Sequence, residues 1–366
     1  MINLGTVNIT DETKALMIKA LNDGIISGGK YVAAFEENFA KWLGVKHAIA
    51  VSSGTMADAC ALAAIRNYDG GKRNEIIVPA LTFVAQINAI WCNHLKPVFI
   101  DVNKDFNIDV ERIEEKITDK TLAIMPTHLL GRPARMREIE DLAIRYSLFI
   151  VEDACEALGS TYYGSNVGAI RDVGCFSFFV SHSITTGEGG MVATNNGEIA
   201  GLVRSLRNHG RKSDHYHEKF LFPHIGFSAK MNAMEAIIGL GIMPMLDSCI
   251  TRRRDNGLFL NNLMKKSWMR EKNHEYIVPH AYPIMAKSHE ERQKLLIDLP
   301  QKYGIEARQI FYSIPTQCEA YAFLGEKPGS YPVAEDIGLR GLYVPCHQNL
   351  SREELEYTAR ILNELV

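Results

Sequence analysis

FSFFVSHSITTGEGG, residues 176–190, starts as a strand and ends as a turn. An apolar run over residues 175–180 stops at Ser181-His182-Ser183 and gives way to Thr185-Thr186-Gly187-Glu188-Gly189-Gly190. A strand that opens into a glycine-rich turn exposes side chains and lets backbone amides come close to a ligand. Taken alone, the stretch fits a ligand-facing turn and a plain β-turn with a surface histidine equally well. The sequence around it separates the two.

On its N-terminal side, residues 148–151 read as a buried strand running into Glu152-Asp153-Ala154-Cys155-Glu156-Ala157-Leu158-Gly159. A carboxylate leaving a buried strand needs a partner, because an unpaired buried charge is costly. Asp153 is either such a carboxylate or a helix cap. Strand patterns at residues 122–126, 96–101 and 75–79 are each followed by a loop and a helical pattern. The first runs into Thr127-His128-Leu129-Leu130-Gly131-Arg132, the last into Ala80-Leu81-Thr82-Phe83-Val84. Residues 47–51 form another strand, followed by Ser52-Ser53-Gly54-Thr55-Met56-Ala57 and an Ala/Leu-rich helical run. Strand, small-residue turn and helix together build an anion site from free amides, although such turns also merely connect elements in many α/β folds. Strands alternating with helices argue a parallel sheet with crossover helices and ligands at the strands' C-terminal ends.

At the N-terminus an amphipathic helix is expected over residues 8–22, starting near Ile9-Thr10-Asp11. A flexible turn through Ile25-Ile26-Ser27-Gly28-Gly29-Lys30 precedes a second helix carrying Phe35, Phe39 and Trp42. Beyond residue 246 the character changes to a charged helix (251–266), strands at 276–278 and 281–285, and a final helix at 351–365. Ser351 caps that helix with Glu354 three residues on.

The 366 residues are 46% hydrophobic, which provides core for two or more domains. A net charge of −3, from 40 basic and 43 acidic side chains, gives no footing for nucleic acid. The triplet Arg252-Arg253-Arg254 reads as a solvated helix face. No uninterrupted apolar run reaches the roughly 18 residues of a membrane span, and Met1-Ile2-Asn3 starts no signal peptide. The seven cysteines are scattered without CxxC spacing, which argues reduced thiols in a cytoplasmic enzyme and neither disulfides nor a metal site.

In order along the chain, SSGT at 52–55, PALTF at 79–83, EDACEALG at 152–159, FSFFVSHSITTGEGG at 176–190, RSLRNHGR at 204–211 and GFSAKMN at 226–232 resemble the motifs of the DegT/DnrJ/EryC1/StrS family, the pyridoxal-phosphate (PLP) sugar aminotransferases. The resemblance covers nearly the whole chain and is strongest from Ser52 to Asn232. It implies a PLP-dependent transferase of fold type I (aspartate aminotransferase-like), α/β with a mostly parallel central sheet and a smaller C-terminal α/β domain. Residues 1–245 would form the large PLP-binding domain and 246–366 the small one. It also implies that Thr55, Met56 and Ser177 hold the cofactor phosphate, that Phe83 stacks on the pyridine ring, and that Asp153 faces the ring nitrogen. Glu156 takes the place of a glutamine at the ring's hydroxyl side. Ser228 stands where the family has an asparagine that reaches the neighbouring subunit's phosphate, and the resemblance makes it the candidate at that position. A homodimer follows from sites formed at a subunit interface.

The family's Schiff-base lysine falls where this chain has His182. Imidazole forms no stable Schiff base, yet it moves protons, and its unperturbed pKa of about 6.5 suits acid or base work near neutrality. His182, the CEALG segment and Lys230 in place of arginine resemble the nucleotide-4-keto-6-deoxysugar 3-dehydratase branch, the colitose-pathway type. That branch implies pyridoxamine phosphate (PMP) bound without a covalent link, His182 as the base at the cofactor's C4′ atom, and loss of the C3 hydroxyl from a nucleotide-linked 4-keto-6-deoxysugar. One form of the branch uses an iron–sulfur cluster held by closely spaced cysteines after the RxxGR segment; Lys212-Ser213-Asp214-His215 carries none. The cluster-free form restores PMP with glutamate. Two alternatives stay open: a sugar 4-aminotransferase, or a lysine-to-histidine variant of one, and a cofactor-binding protein without catalysis. The nucleotide, the sugar stereochemistry and the glutamate-binding residues are not written in any of these motifs.

Overall fold

The computed structural model describes every residue except Thr6, Asp214 and Trp268. Asp214, part of the cysteine-free stretch at 212–215, therefore lies outside the described residues. Seven strands build the central sheet, in the spatial order His47–Val51, Gly190–Thr194, Val173–Ser177, Phe149–Asp153, Thr121–Ile124, Glu75–Pro79 and Lys96–Ile100. From Val173–Ser177 to Lys96–Ile100 neighbours pair in parallel. Gly190–Thr194 runs antiparallel to both of its neighbours. The sheet is mixed and mostly parallel, as the alternating strand and helix patterns predict.

Such a sheet is covered on both faces, and strands Glu75–Pro79 and Gly190–Thr194 are buried along their whole length. Alternation along the strands divides the core into two layers. Ile49, Val51, Ile76 and Val78 join one cluster, while Ala48, Ala50, Ile77 and Ile124 join the other. Helix Gly54–Tyr68 lies in the first layer with an unbroken buried run from Ala57 to Ile65, which its small side chains permit. A third cluster gathers Ile2, Leu260, Tyr282, Leu299, Leu342 and Leu362. It packs beside a three-stranded antiparallel sheet of Tyr282–Met285, Gly341–Val344 and Arg308–Gln309.

The caps read from the sequence are formed. Thr10 Oγ1 accepts the Thr13 N–H at 3.2 Å and starts helix Asp11–Asn22. Ser351 and Glu354 make a reciprocal capping box on Arg352–Leu365.

Three sequence expectations shift. The strand expected to reach residue 180 ends at Ser177, because the chain turns back there: Phe178 N–H donates to the Gly189 carbonyl and Phe179 bridges Gly187. Phe178 is instead a core ring packed on Phe35 and Phe39, at 5.4 and 5.6 Å between centroids. The charged helix begins at Leu246, earlier than expected, and continues a helical rod, Ala233–Leu263. That rod contains an 18-residue window of mean hydropathy 1.5, long and apolar enough by length and composition to cross a membrane, with 44% of the window buried inside the fold. Glu235 and Asp247 interrupt the pattern, which hides it from a search for uninterrupted apolar runs.

Candidate active site

The C-terminal ends of the parallel strands open into a cavity of about 330 Å³. Thr55, Phe83, Asp153, Glu156, Ser177 and His182, six of the residues singled out from the sequence, line it together. Met56 and Ser228 do not. Met56 donates its N–H to the Ser53 cap at 3.2 Å, and Ser228 is exposed on a segment bridged to Asn208.

One end of the cavity is an anion cradle. Strand His47–Val51 stops, Ser53 caps helix Gly54–Tyr68, and the first turn of that helix presents its unpaired amides beside the Ser177 hydroxyl. The approach is close enough to require glycine at residue 54. A Cβ there would lie 2.6 Å from Ser177 Cβ and 3.2 Å from Cys155 Sγ. Overpacking of this kind costs about 1–3 kcal/mol. Gly54→Ala should therefore lower the stability of the apo protein by about 1–3 kcal/mol in denaturant unfolding; unchanged stability would show that the turn does not pack this closely on Ser177.

At the other end, Asp153 ends its strand with 6% exposure and accepts the Cys155 N–H at 3.1 Å. Burial raises its carboxyl above the usual aspartate range, and the Cys155 hydrogen bonds and the nearby His128 oppose that rise. Its neighbour Glu152 points to the opposite side, where it accepts N–H groups from Gly168, Ile170 and Arg171. Phe83 is 54% exposed, a high value for phenylalanine, and packs at 5.3 Å on Phe311 over the cavity. Glu156 accepts the Leu130 N–H at 2.8 Å, and burial pushes its carboxyl up to about 7.

His182 sits in the wall between these ends. Its Nδ1 lies 2.5 Å from the Cys155 carbonyl, which can only accept, so Nδ1 carries the hydrogen and Nε2 keeps a free lone pair. Burial pulls the imidazole down to about 4, the Cys155 bond opposing and Arg253 adding to the shift. The sequence reading took the unperturbed value; the site instead holds His182 neutral at pH 7.

The sequence reading missed His280, whose ring lies tilted at 55° to the His182 ring with centroids 4.9 Å apart and approaches Glu156 Oε1 at 3.9 Å. It follows no motif, and only the fold brings it here. Arg253 is a correction. Inside a triplet read as a solvated face, it is 1% exposed and donates to the carbonyls of His280 at 2.7 Å and His182 at 3.4 Å. A carbonyl needs a donor when buried, and one guanidinium serves both loops. No lysine lines the cavity among the described residues; Lys230 is exposed and donates to Asn208 Oδ1 at 3.0 Å.

The DegT/DnrJ/EryC1/StrS aminotransferase family matches residues 7–363. This chain belongs to it. Its relatives include GDP-perosamine synthase of Escherichia coli O157:H7, 36% identical over 363 residues, covering 98% of this chain and 96% of that protein. Among solved structures, the aminotransferase PseC of Helicobacter pylori superposes with a TM-score of 0.90 at 27% identity, covering 100% of this chain and 98% of that one. A mutant of GDP-4-keto-6-deoxymannose-3-dehydratase (ColD) with bound GDP-perosamine also gives 0.90 at 27% identity, covering 99% and 100%. The fold is that of the PLP-dependent sugar aminotransferases, and the chain is an enzyme of this family with PLP or PMP as its cofactor. The cavity fits the cofactor by its own features: amides and a serine at one end, a buried carboxyl at the other, and an exposed phenyl face between them.

Proposed function

We propose that this enzyme removes the C3 hydroxyl from a nucleotide-linked 4-keto-6-deoxyhexose, giving the 4-keto-3,6-dideoxyhexose, with PMP restored from glutamate. One observation carries the reading: a neutral histidine with an open Nε2 occupies the wall, and no lysine lines it among the described residues. The bound cofactor supplies an amine for the substrate ketone and a ring that accepts electrons. Thr55, the free amides of Gly54 and Thr55, and Ser177 would hold its phosphate, and Phe83 would cover the ring. Asp153 keeps the ring nitrogen protonated, while Glu156 shares a proton at the ring hydroxyl. His182 Nε2 takes the proton at C4′. As imidazolium it then gives a proton to the departing C3 oxygen, for which a neutral base that regains acidity is suited. Arg253 holds the His182 and His280 loops in register during both steps.

The electrons fix the stoichiometry. Replacing C–OH by C–H consumes two electrons, which leave glutamate as it becomes 2-oxoglutarate and ammonia. Each deoxygenated sugar therefore accompanies one 2-oxoglutarate and one ammonia. A second reading, a sugar 4-aminotransferase, is favoured by the likeness to GDP-perosamine synthase. It yields 2-oxoglutarate with the nitrogen retained on the sugar. Incubation with PMP, glutamate and a set of nucleotide 4-keto-6-deoxysugars separates the two. Released ammonia and a sugar lighter by one oxygen are expected; an aminated sugar with no ammonia rejects the dehydratase.

We further propose a large domain at 1–245, a small one at 246–366, and a homodimer in the cytoplasm. The dimer is supported by exposed Tyr216, Phe220, Phe222 and Ile225 on one loop, the last 98% exposed. The location is in keeping with seven unpaired cysteines.

A further inference from the structure

The floor of the cavity holds a carboxyl group to which the chemistry above gives no task. Asp58 lies one turn into helix Gly54–Tyr68, is 1% exposed, and lines the cavity. Its Oδ1 has no hydrogen-bond partner, and its side-chain hydrogen bond is to the Cys175 thiol. Single polar atoms of Asp58, Asp153 and Cys155 all lie within 4.8 Å of one another. The flanking Ala57, Ala59, Cys60 and Leu62 show that packing at this level asks only for small or apolar groups. An orphaned buried carboxyl is expensive and calls for an explanation.

We propose that Asp58 is a positioning residue for the cofactor ring, paired with Asp153 so that the two carboxyls hold one proton between them and Asp153 is the ionised member. The inference rests on the assignment of Asp153 to the ring nitrogen. Two carboxylates this close in an apolar floor cannot both stay ionised. Asp153 takes the charge because it accepts an amide N–H, whereas Asp58 has only a thiol. Cys60 lies on the same helix, Cys175 on strand Val173–Ser177, and Asp153 and Cys155 at the end of Phe149–Asp153 and its turn. Arg207 acts on Cys60 and His128 on Asp153 from the next layer. No cation is among the groups acting directly on Asp58.

Burial and the Asp153 charge raise the Asp58 carboxyl well above its ordinary value, so the folded apo protein keeps a proton that the unfolded chain loses near pH 4. Stability held in full below that pH is lost as pH rises toward the folded value. A cationic ring lying against the pair offsets this loss and binds better once Asp58 ionises.

Thermal unfolding of apo protein and fluorescence titration with PMP, both from pH 6 to 9, test the pair. The wild-type apo Tm should fall with pH while PMP affinity rises. Asp58→Asn, an uncharged isostere, should flatten both trends above pH 8, where Glu156, pushed up to about 7, is already ionised, and match wild-type affinity at pH 6 within about threefold. Should that variant fail to fold, Asp58→Leu, which suits the apolar surroundings, carries the same comparison. Wild-type slopes retained in the folded variant overturn the proposal with the cofactor assignment intact. A wild-type protein that binds no PMP overturns the assignment and the proposal together.

Discussion

Replacing His182 by asparagine should lower turnover of the 4-keto sugar by about 10²–10⁴-fold, the usual worth of a general acid–base. PMP affinity should stay within about threefold, because asparagine can still donate to the Cys155 carbonyl and the cofactor's other holds are untouched. Loss of affinity in parallel with rate would make the residue a binding group, and unchanged turnover would remove it from the chemistry. The pH dependence sharpens the test. With the imidazole pulled down to about 4, the base stays neutral through the ordinary range. The acid limb of the rate profile should fall near pH 4, not near the 6.5 of a free histidine. Stability follows the same group with a fixed sign. The unfolded histidine binds its proton near 6.5, so the contribution is complete above that pH and is lost as pH falls to about 4. Apo His182→Asn should show a smaller decline, the remainder coming from His280 and His347, which burial also pulls down; a pH series of thermal unfolding reads the difference directly.

Borohydride reduction of the PLP-loaded wild-type protein should leave no pyridoxyl mass on any lysine, and the same treatment of His182→Lys should add one. The contrast is all or none. No lysine stands in the cavity wall among the described residues, and Lys230 is held outward by Asn208. An amine at residue 182 would occupy the wall between the anion cradle and Asp153. Peptide mass spectrometry locates the adduct. A wild-type adduct on any lysine would defeat the noncovalent cofactor and return the enzyme to ordinary transamination.

Much of this site was legible because the fold brings strand ends together. Thr55, Phe83, Asp153 and Ser177 each follow or end a strand whose apolar pattern is plain, and a parallel sheet places all such ends on one edge. The glycine-rich turn after His182 needed the same logic, since Gly187 and Gly189 have φ of +87° and +146°, values side chains rarely adopt. His280 was illegible for the opposite reason: it lies in a loop about a hundred residues from its partner and follows no periodic signal. Arg253 was misread because a basic triplet on a helix usually faces water, whereas here the helix crosses from one hydrophobic cluster to another and its middle arginine turns inward. Asp58 was hidden in an Ala-rich run whose neighbours all point to packing. The strand Gly190–Thr194 escaped notice because its partners at 47–51 and 173–177 fix its direction, which no local pattern states.

A wall in which no lysine stands among the described residues changes how the enzyme would keep its vitamin. On the proposed reading no covalent bond holds the coenzyme, so the loaded fraction should follow ordinary mass action with the free pool. At a hundred times its dissociation constant the coenzyme would add about 2.7 kcal/mol to folding stability, and dilution would remove that gain without breaking any bond. Enzyme purified away from vitamin B6 should therefore emerge colourless and heat-sensitive, and recover both colour and heat resistance when the coenzyme is returned.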